Sequence, residues 1–348
     1  MKIARPNLLA AKPSLPPSST CLVDLTGFVH RLAYMPGPRG LDPATITSRR
    51  TGEPTWGLVG AFNQLHTLAK MKPARIIAFA DSSQNGFRQQ LLDSYKRKSG
   101  STYIGFQLAR LTQCLPLMGI PVIGGREEFP GMEAEDLISK AALALEGNNV
   151  VVAYDKDMLQ LVGEPAPGKP GSDVFYYHPQ KKVLLDRHNL ASHIRTNYGF
   201  PTKAEIAGPD FAVYLAVTGD AEDGVKAVGG IGPATLAKYY EQIPAGLSNP
   251  EKIEALAKAD QDLKAQADKP VTADWRKALL NLQATDLRTS RQIDLSISNE
   301  IPQLRPDRDA FRQVLEDLTM ASFLQQFGTW FAPFEAVQPQ QAVEAPAI

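Results

Sequence analysis

The sequence predicts an α/β fold in which a central, mostly parallel sheet is flanked by helices. Three short segments rich in Val, Ile and Ala are apolar on both faces, as the central strands of parallel sheets are. Helical stretches separate these segments, and strands that alternate with helices are typical of layered α/β proteins. After residue 170 the pattern changes, which indicates a second, more helical part.

The three apolar segments share one ending, because each closes on aspartate. "TCLVD" ends at Asp24, "ARIIAFAD" at Asp81, and "NNVVVAYDKD" at Asp155 and Asp157. Ligands bind at the carboxyl ends of the strands in open α/β sheets, so these carboxylates are expected to meet at one edge. Residues i and i+2 of an extended segment share a face, so Asp155 and Asp157 are predicted to turn toward one site and Lys156 to point away.

The remaining elements are predicted from periodicity and turn residues. "IPVIGG" is a candidate fourth strand, and "SDVFYYHPQKKVLLD" a hairpin that turns at residues 178–181. "GGIGPATLAKYY" is predicted as a glycine hairpin followed by a helix. The other predicted helices cover residues 56–71, 104–119, 132–147, 210–220, 250–267 and 307–327.

These elements suggest two domains between two tails. A proline-rich, flexible tail is predicted for residues 1–19, and a disordered tail for residues 333–348. An α/β domain is predicted for residues 20–186, with an arch or gateway near 82–103, and a helical domain for residues 187–332.

Composition narrows the class of protein. Hydrophobic residues make up 43% and charged residues 21%, as in ordinary globular proteins. The net charge of +0 argues against coating of nucleic acid through bulk charge, but it permits a local basic groove such as "RQQLLDSYKRK". No apolar run reaches the roughly 18 residues of a membrane span, and the N-terminus does not resemble a signal peptide. Two cysteines indicate neither a disulfide framework nor a zinc site, so a reducing cytoplasm is expected. A monomer is expected as well.

Two further acidic groups lie outside the strands. Glu133, Glu135 and Asp136 fall in "GMEAEDLI", where residues 133 and 136 share a helix face and lie in the first turn. Asp220 and Asp223 fall in the glycine-containing loop "TGDAEDG". Each group alone is typical of an ordinary helix start or a solvated turn.

Taken together, the carboxylates predict a site for divalent cations. Like charges at ~4 Å repel by about 4 kcal/mol per pair at an effective dielectric constant near 20. Oxygen ligands without His or Cys select Mg²⁺ or Mn²⁺. Two such ions ~4 Å apart are the usual device for in-line displacement at a phosphodiester.

Five ordered motifs make the sequence resemble the 5′-nuclease family, which includes flap endonucleases, the 5′-nuclease domain of bacterial DNA polymerase I and phage 5′–3′ exonucleases. The motifs are "LVDLTGFVHRLAY", "AFADSSQNGFRQQLLDSYKRK", "GMEAEDLI", "AYDKDMLQLV" and "VTGDAEDGVKAVGGIGPATLAKYY". They cover roughly residues 20–330. The resemblance implies a PIN-like or resolvase-like α/β fold with a helix-hairpin-helix (H3TH) DNA-binding subdomain.

The resemblance also implies a ligand set for the metal ions. The sequence departs from the family's pattern at two positions, with Glu135 in place of Asp and Gly224 in place of Asn, so the local geometry at both is open. The implied metal ligands are Asp24, Asp81, Glu133, Glu135, Asp136, Asp155, Asp157, Asp220 and Asp223.

Basic and aromatic residues of the gateway segments are implied to contact the substrate. Lys96 matches the family best and is expected to steady the scissile phosphate, while Tyr95 stacks on a base. Arg31 and Arg88 are the other implied catalytic residues. Arg97 and Lys98 are implied DNA contacts, although a solvated helix end explains each of them equally well.

The glycine hairpin is the implied grip on duplex DNA. Its glycines let backbone N–H groups approach a phosphate, and the following helix N-terminus attracts the anion. The family often holds K⁺ at this place. The residues concerned are Lys226, Gly229, Gly230 and Gly232.

The function implied is a metal-dependent 5′–3′ exonuclease or structure-specific flap endonuclease in DNA replication, and the absence of a polymerase domain suggests a phage protein. Its substrate would be DNA with a 5′ end or a 5′ flap, or RNA in an RNA–DNA hybrid, and its products would carry 5′-phosphates. Two alternatives stay open. One is a PIN-like ribonuclease, against which the glycine hairpin counts. The other is a non-catalytic relative that binds branched DNA, against which the full acidic set counts.

Overall fold

Six strands form one sheet, in the order β3-β2-β1-β4-β5-β6. The strands are β1 (Thr20–Asp24), β2 (Arg75–Ala80), β3 (Val122–Gly124), β4 (Asn149–Val152), β5 (Val174–His178) and β6 (Val183–Leu185). Neighbours among β1 to β5 are parallel, and β6 is antiparallel to β5. The mostly parallel sheet, the fourth strand and the hairpin are therefore confirmed.

The structure, a computed structural model, describes residues 13–82, 84, 86–96, 102–125, 129–166, 168, 171–290, 301–337 and 343–344. The predictions for residues 1–12, Arg97, Lys98 and most of residues 338–348 lie outside these ranges.

Five α-helices lie among the described residues of the strand-rich half. They are α1 (Leu25–Ala33), α2 (Trp56–Ala69), α3 (Phe87–Leu91), α4 (Thr102–Cys114) and α5 (Ala134–Ala144). Helix α4 is shorter than the predicted 104–119, because Pro116 lies in a separate 3₁₀ turn that ends at Gly119, whose φ is +75°. Helix α1 was not predicted from the sequence. It begins directly after β1, so the strand and the helix leave no loop between them.

The second half of the chain is helical, and it ends with a short strand pair. Its helices are α6 (Leu190–Tyr198), α7 (Asp210–Thr218), α8 (Pro233–Tyr240), α9 (Asn249–Gln266), α10 (Trp275–Thr285), α11 (Leu287–Ser290), α12 (Arg308–Asp317), α13 (Ala321–Gln325) and α14 (Phe327–Ala336). Strands β7 (Leu304–Arg305) and β8 (Val343–Glu344) pair in parallel.

Two predictions near the C-terminus are wrong. The single helix expected over 307–327 is two helices, because Thr319 lies in the left-handed region at φ +52° and ends the helical path. Helix α14 also continues to Ala336, so the first four residues of the tail predicted from 333 are helical. Phe331 and Phe334 on this helix are buried.

Alternate residues of the central strands feed two separate cores. Leu22, Ile77 and Val151 pack on the side of α5 and the helices α6 to α10. Cys21 and Val23 face the other side, which α1, α2, α4 and the three C-terminal helices cover. Helices α12 to α14 therefore pack on the α/β layer although the chain passes through the helical part first. No helix in the described residues is long and apolar enough to cross a membrane.

Candidate metal centre and active site

The site lies where the strand order reverses. Strand β1 pairs with β2 on one side and with β4 on the other, and crevices at such switch points are where open α/β sheets bind ligands. Asp24 is the last residue of β1 and the N-cap of α1, where its Oδ1 accepts the Gly27 N–H at 2.8 Å. Asp81 follows β2, and its Oδ1 accepts the Ala134 N–H at 2.9 Å. Both carboxylates are thus fixed by backbone donors.

The Asp155–Asp157 segment is a turn and not the extended segment predicted. Asp155 Oδ1 accepts the N–H of Asp157 at 2.9 Å, and Asp157 begins a 3₁₀ helix that runs to Leu161. The period-two rule for strands therefore does not apply. The prediction that Lys156 points away is wrong, because its Nζ lies 2.6 Å from Asp220 Oδ2 and 3.8 Å from Asp157 Oδ1.

Three of the carboxylates converge closely enough to share one cation. Oxygens of Asp157, Asp220 and Asp223 lie within 4.8 Å of one another, and all three residues are buried. Asp220 and Asp223 come from the loop after α7, where Asp220 forms a β-bridge with Val225. The loop therefore carries acids from the helical half to the carboxyl edge of the sheet.

Asp136 is already saturated by protein donors. It is fully buried, and its two oxygens accept Arg88 Nη1 at 2.8 Å and Nη2 at 2.7 Å. Its Oδ2 also accepts the Glu133 N–H at 3.1 Å, as part of the capping of α5. In this structure Asp136 is the counter-ion of a buried arginine, and its role as a metal ligand stays a prediction.

Arg88 is likewise enclosed by protein acceptors. Besides Asp136, its guanidinium lies 3.0 Å from Glu135 Oε1 and 3.4 Å from Glu133 Oε2, and Nε donates to the Ala284 carbonyl at 2.8 Å. Only 3% of its side chain is exposed. Burial opposes the charge, but the carboxylates outweigh burial and raise the pKa of Arg88. The prediction that Arg88 is a catalytic contact to substrate is corrected, since its donors are engaged within α3, α5 and α10.

Tyr95 does not offer its ring to a base in this arrangement. The side chain is buried, and its hydroxyl lies 3.1 Å from Glu133 Oε2 and 3.3 Å from Asp223 Oδ2. Burial, with Glu135 nearby, raises the pKa of the phenol, so it stays a hydrogen-bond donor. The stacking prediction is therefore corrected, and Tyr95 bridges acids that come from α5 and from the loop after α7.

Lys96 and Arg31 keep an accessible position. Lys96 Nζ lies 2.8 Å from Asp223 Oδ1 while 39% of its side chain is exposed. Burial opposes the ammonium charge, but Glu135 and Asp223 outweigh it and raise the pKa of Lys96. Arg31 lies in the last turn of α1, exposed, and donates to Gln180 Oε1 at 3.0 Å. Lys96 can therefore meet a phosphate at the rim of the acidic site, and Arg31 is accessible at the end of α1.

The buried carboxylates of the site carry more negative charge than the neighbouring side chains neutralise. Burial, reinforced by neighbouring acids, raises the pKa of Asp24 to about 7 and raises the pKa values of Glu135, Asp155 and Asp157. Among the described residues, Arg88, Lys96 and Lys156 pair with Asp136, Asp223 and Asp220 of the cluster, and three cations cannot neutralise nine carboxylates.

Two oxygens in the cluster support a cation directly. Asp157 Oδ1 and Glu133 Oε1 are buried and have no hydrogen-bond partner within the described part of the chain. Buried polar atoms are nearly always paired, so these two oxygens are the ones left to accept a ligand. Carboxylate oxygens without His or Cys fit hard divalent cations. The residues therefore fit the metal ions that the sequence predicts.

Lys156 belongs to the site although the sequence analysis did not assign it there. The usable signal was its position between two acids that the same reasoning assigned to the site. In the structure its ammonium links the end of β4 to the Asp220 loop, and Asp157 and Asp220 raise its pKa against the effect of burial.

The glycine hairpin joins α7 to α8 at the surface. Gly229 and Gly230 are exposed and have φ values of +88° and +68°, which side chains rarely adopt. Gly232 is the N-cap of α8, with Pro233 following at the first helical position. Lys226 is exposed just before the hairpin. The hairpin therefore presents backbone and a helix N-terminus to solvent, as the predicted grip on phosphate requires.

Comparisons with known proteins find related sequences over most of the chain. The sequence model described as "5′-3′ exonuclease, N-terminal resolvase-like domain" matches residues 19–194, just over half of the chain. The "5′-3′ exonuclease" of Aquifex aeolicus is 26% identical over 315 residues, which cover 88% of this chain and 93% of the relative. The "DNA polymerase I, thermostable" of Thermus aquaticus is 28% identical over 312 residues, 87% of this chain but only 33% of the relative.

Solved structures share the fold at low sequence identity. Human GEN1 in complex with Holliday junction DNA has a TM-score of 0.53 at 16% identity, covering 90% of this chain and 71% of that one. The T5 5′-exonuclease with bound zinc has a TM-score of 0.51 at 14% identity, covering 86% and 99%. With the carboxylates at the strand ends and the family match over the sheet, the chain belongs to the 5′–3′ exonuclease family whose N-terminal domain is resolvase-like.

Proposed function

We propose that the protein is a metal-dependent 5′ nuclease that hydrolyses phosphodiester bonds of DNA at 5′ ends or 5′ flaps. The observation that carries the proposal is the convergence of Asp157, Asp220 and Asp223 beside the acids that end β1, β2 and β4. Buried carboxylates in such excess repel one another, and bound cations would offset that repulsion. The proposal extends to the whole chain, which spans about a third of the polymerase relatives but nearly all of the Aquifex exonuclease.

Two sets of residues would hold Mg²⁺ or Mn²⁺. Asp157, Asp220 and Asp223 would form one set, and a second would draw on Asp24, Asp81, Glu133, Glu135 and Asp155. When bound, the ions supply the Lewis-acid activation of water and the charge stabilisation that in-line displacement at phosphorus needs.

The chain's own residues position the substrate around the ions. Lys96, accessible and held charged by Asp223, would donate to a non-bridging oxygen of the scissile phosphate. Such a donor favours the transition state, in which charge on phosphate oxygens rises. Arg31 would contact a neighbouring phosphate from the end of α1. The buried Arg88 holds Asp136 and the start of α5, so that Glu133 and Glu135 keep their places.

The glycine hairpin would bind the duplex away from the chemistry. The N–H groups of the exposed residues Gly229 and Gly230 and of the start of α8 would offer donors to one phosphate, and the helix N-terminus would add a favourable dipole. Such contacts position the duplex without reading its sequence. The proposed substrate class is therefore defined by a 5′ terminus beside a duplex, with RNA–DNA hybrid as a further substrate to test.

The proposal is tested with 5′-labelled duplex, 5′-flap and RNA–DNA substrates in Mg²⁺ and in EDTA. We expect DNA cleavage in Mg²⁺, none in EDTA, and loss of cleavage in Asp155→Asn with an unchanged circular dichroism spectrum. Asp309→Asn is the matched control, because Asp309 is an exposed acid in the first turn of α12. Binding of flap DNA without cleavage in Mg²⁺ or Mn²⁺ would instead identify a non-catalytic relative. Cleavage confined to RNA would identify a ribonuclease.

A further inference from the structure

Gly224 lies where the backbone of the gateway segment closely approaches the loop after α7 that carries Asp220 and Asp223. Its φ is +72°, and a Cβ built on it would lie 1.9 Å from the carbonyl oxygen of Ser94 and 3.5 Å from Tyr95 Cα. Real Cβ atoms do not approach carbonyl oxygens so closely. Asparagine, the residue expected here from the family pattern, tolerates left-handed backbone but would still meet that carbonyl. Both the short distance to Ser94 and the left-handed backbone therefore favour glycine at position 224.

This approach coincides with a set of contacts that fix Lys96. The Lys96 N–H donates to the Asp223 carbonyl at 2.9 Å, and Lys96 Nζ lies 2.8 Å from Asp223 Oδ1. Below them Leu92, Tyr95 and Val225 share a small buried cluster with Ala284. Backbone, ammonium and apolar contacts thus join the same two segments, and a side chain at position 224 would push these segments apart.

We propose that Gly224 is a positioning residue that sets the distance between the Lys96 ammonium and the metal-binding carboxylates. The expected effect on the rate of DNA cleavage rests on the proposed nuclease function. Any side chain at position 224 pushes Ser94 away, and the backbone bond from Lys96 to Asp223 lengthens with it. The cation then leaves the acids of the site, although every catalytic side chain is still present. A misplacement of about 1 Å can cost roughly 10²-fold in rate.

The test compares Gly224→Asn with Gly199→Asn. Gly199 ends α6 at φ +62°, and a Cβ built there would meet no atom of the described residues within 4 Å, so the control carries similar backbone strain without the clash. We expect Gly224→Asn to slow single-turnover cleavage at saturating enzyme by about 10²-fold, with less than about a threefold change in the dissociation constant for flap DNA in Ca²⁺. The control should keep the wild-type rate.

A double-mutant cycle decides whether Gly224 acts through Lys96. In a Lys96→Ala background, Gly224→Asn should cost less than about threefold, because the group that it misplaces is absent. Full additivity, an equal loss in Gly199→Asn, or an unchanged rate in Gly224→Asn would each overturn the proposal. If Gly224→Asn does not fold, Gly224→Ala makes the same comparison with the smallest side chain.

Hydrogen exchange separates this proposal from the proposed function. The Lys96 amide should exchange faster in Gly224→Asn than in wild type, and it should be unchanged in Gly199→Asn, whether or not the protein cleaves DNA. If the wild-type protein does not cleave DNA but the variants show this exchange pattern, the proposed function is refuted and the positioning role of Gly224 is supported. If Gly224→Asn stays active and its Lys96 amide exchanges as in wild type, the positioning role is refuted and the proposed function is kept.

Discussion

Replacing Arg88 with methionine should destabilise the protein strongly, because it leaves buried carboxylates without their counter-ion. The guanidinium directs its donors at Asp136, Glu135, Glu133 and the Ala284 carbonyl, and none of these acids is more than 9% exposed at its side chain. If Arg88 instead contacted substrate, its removal would change binding and leave stability unaffected.

The expected magnitude follows from the burial of the pair. Removing one partner of a buried ion pair costs about 3–5 kcal/mol, since the other charge stays buried without compensation. Asp136 is fully buried and loses both of its guanidinium bonds, so we expect about 4 kcal/mol. Arg88→Lys keeps the charge but cannot bind two oxygens in parallel, so it should cost less, about 1–3 kcal/mol.

Urea denaturation in EDTA measures these values without a contribution from metal binding. Combining Arg88→Met with Asp136→Leu should recover much of the loss, because an apolar pair of similar size removes the buried charge. The reasoning is refuted if Arg88→Met changes the free energy of unfolding by less than about 1 kcal/mol while it weakens DNA affinity. That result would return Arg88 to the role of a phosphate contact.

Four other predictions address the metal ions, the cation, the hairpin and pH. Asp157→Asn should lower Mn²⁺ affinity in calorimetry by at least the 10–100-fold that changes around a ligand cause, and unchanged affinity would exclude Asp157 as a ligand. Lys96→Ala should slow single-turnover cleavage by about 10²–10³-fold, and full recovery at saturating DNA would show a binding role only. Gly232→Val should fold normally, because its φ is −90° and no atom lies within 4 Å of the added Cβ, but it should weaken duplex affinity in Ca²⁺; equal affinity would argue against the hairpin grip. In EDTA the melting temperature should fall as pH rises from about 4 toward 7, because the raised pKa of Asp24, about 7, makes the folded state favour the protonated acid and that stabilisation is lost as the acid ionises. Excess Mg²⁺ should remove the fall, whereas a melting temperature that rises over this window in EDTA would contradict the reasoning.

The sequence by itself determined the sheet and the acids at its edge. Runs of Val, Ile and Ala that are apolar on both faces can be stable only between two covering layers, so β1, β2 and β4 follow from local composition. Parallel strands point their carboxyl ends the same way, and Asp24 and Asp81 therefore meet at one edge without any further information. The five ordered motifs added the family, which the comparisons confirm.

Only the tertiary structure decided which charges are free to act. Arg88, Tyr95 and Lys156 lie within motifs that suggest contact with substrate or with solvent. In the structure all three bond to carboxylates from distant parts of the chain. A donor is available to a ligand only if protein acceptors do not enclose it, and the two acceptors of the Tyr95 hydroxyl lie 38 and 128 residues away in the sequence. Local sequence shows the residue type and its spacing. Burial and the position of the counter-charge depend on how the helical half packs against the sheet, so the structure was needed to separate the residues that hold the site together from those that can meet a phosphate.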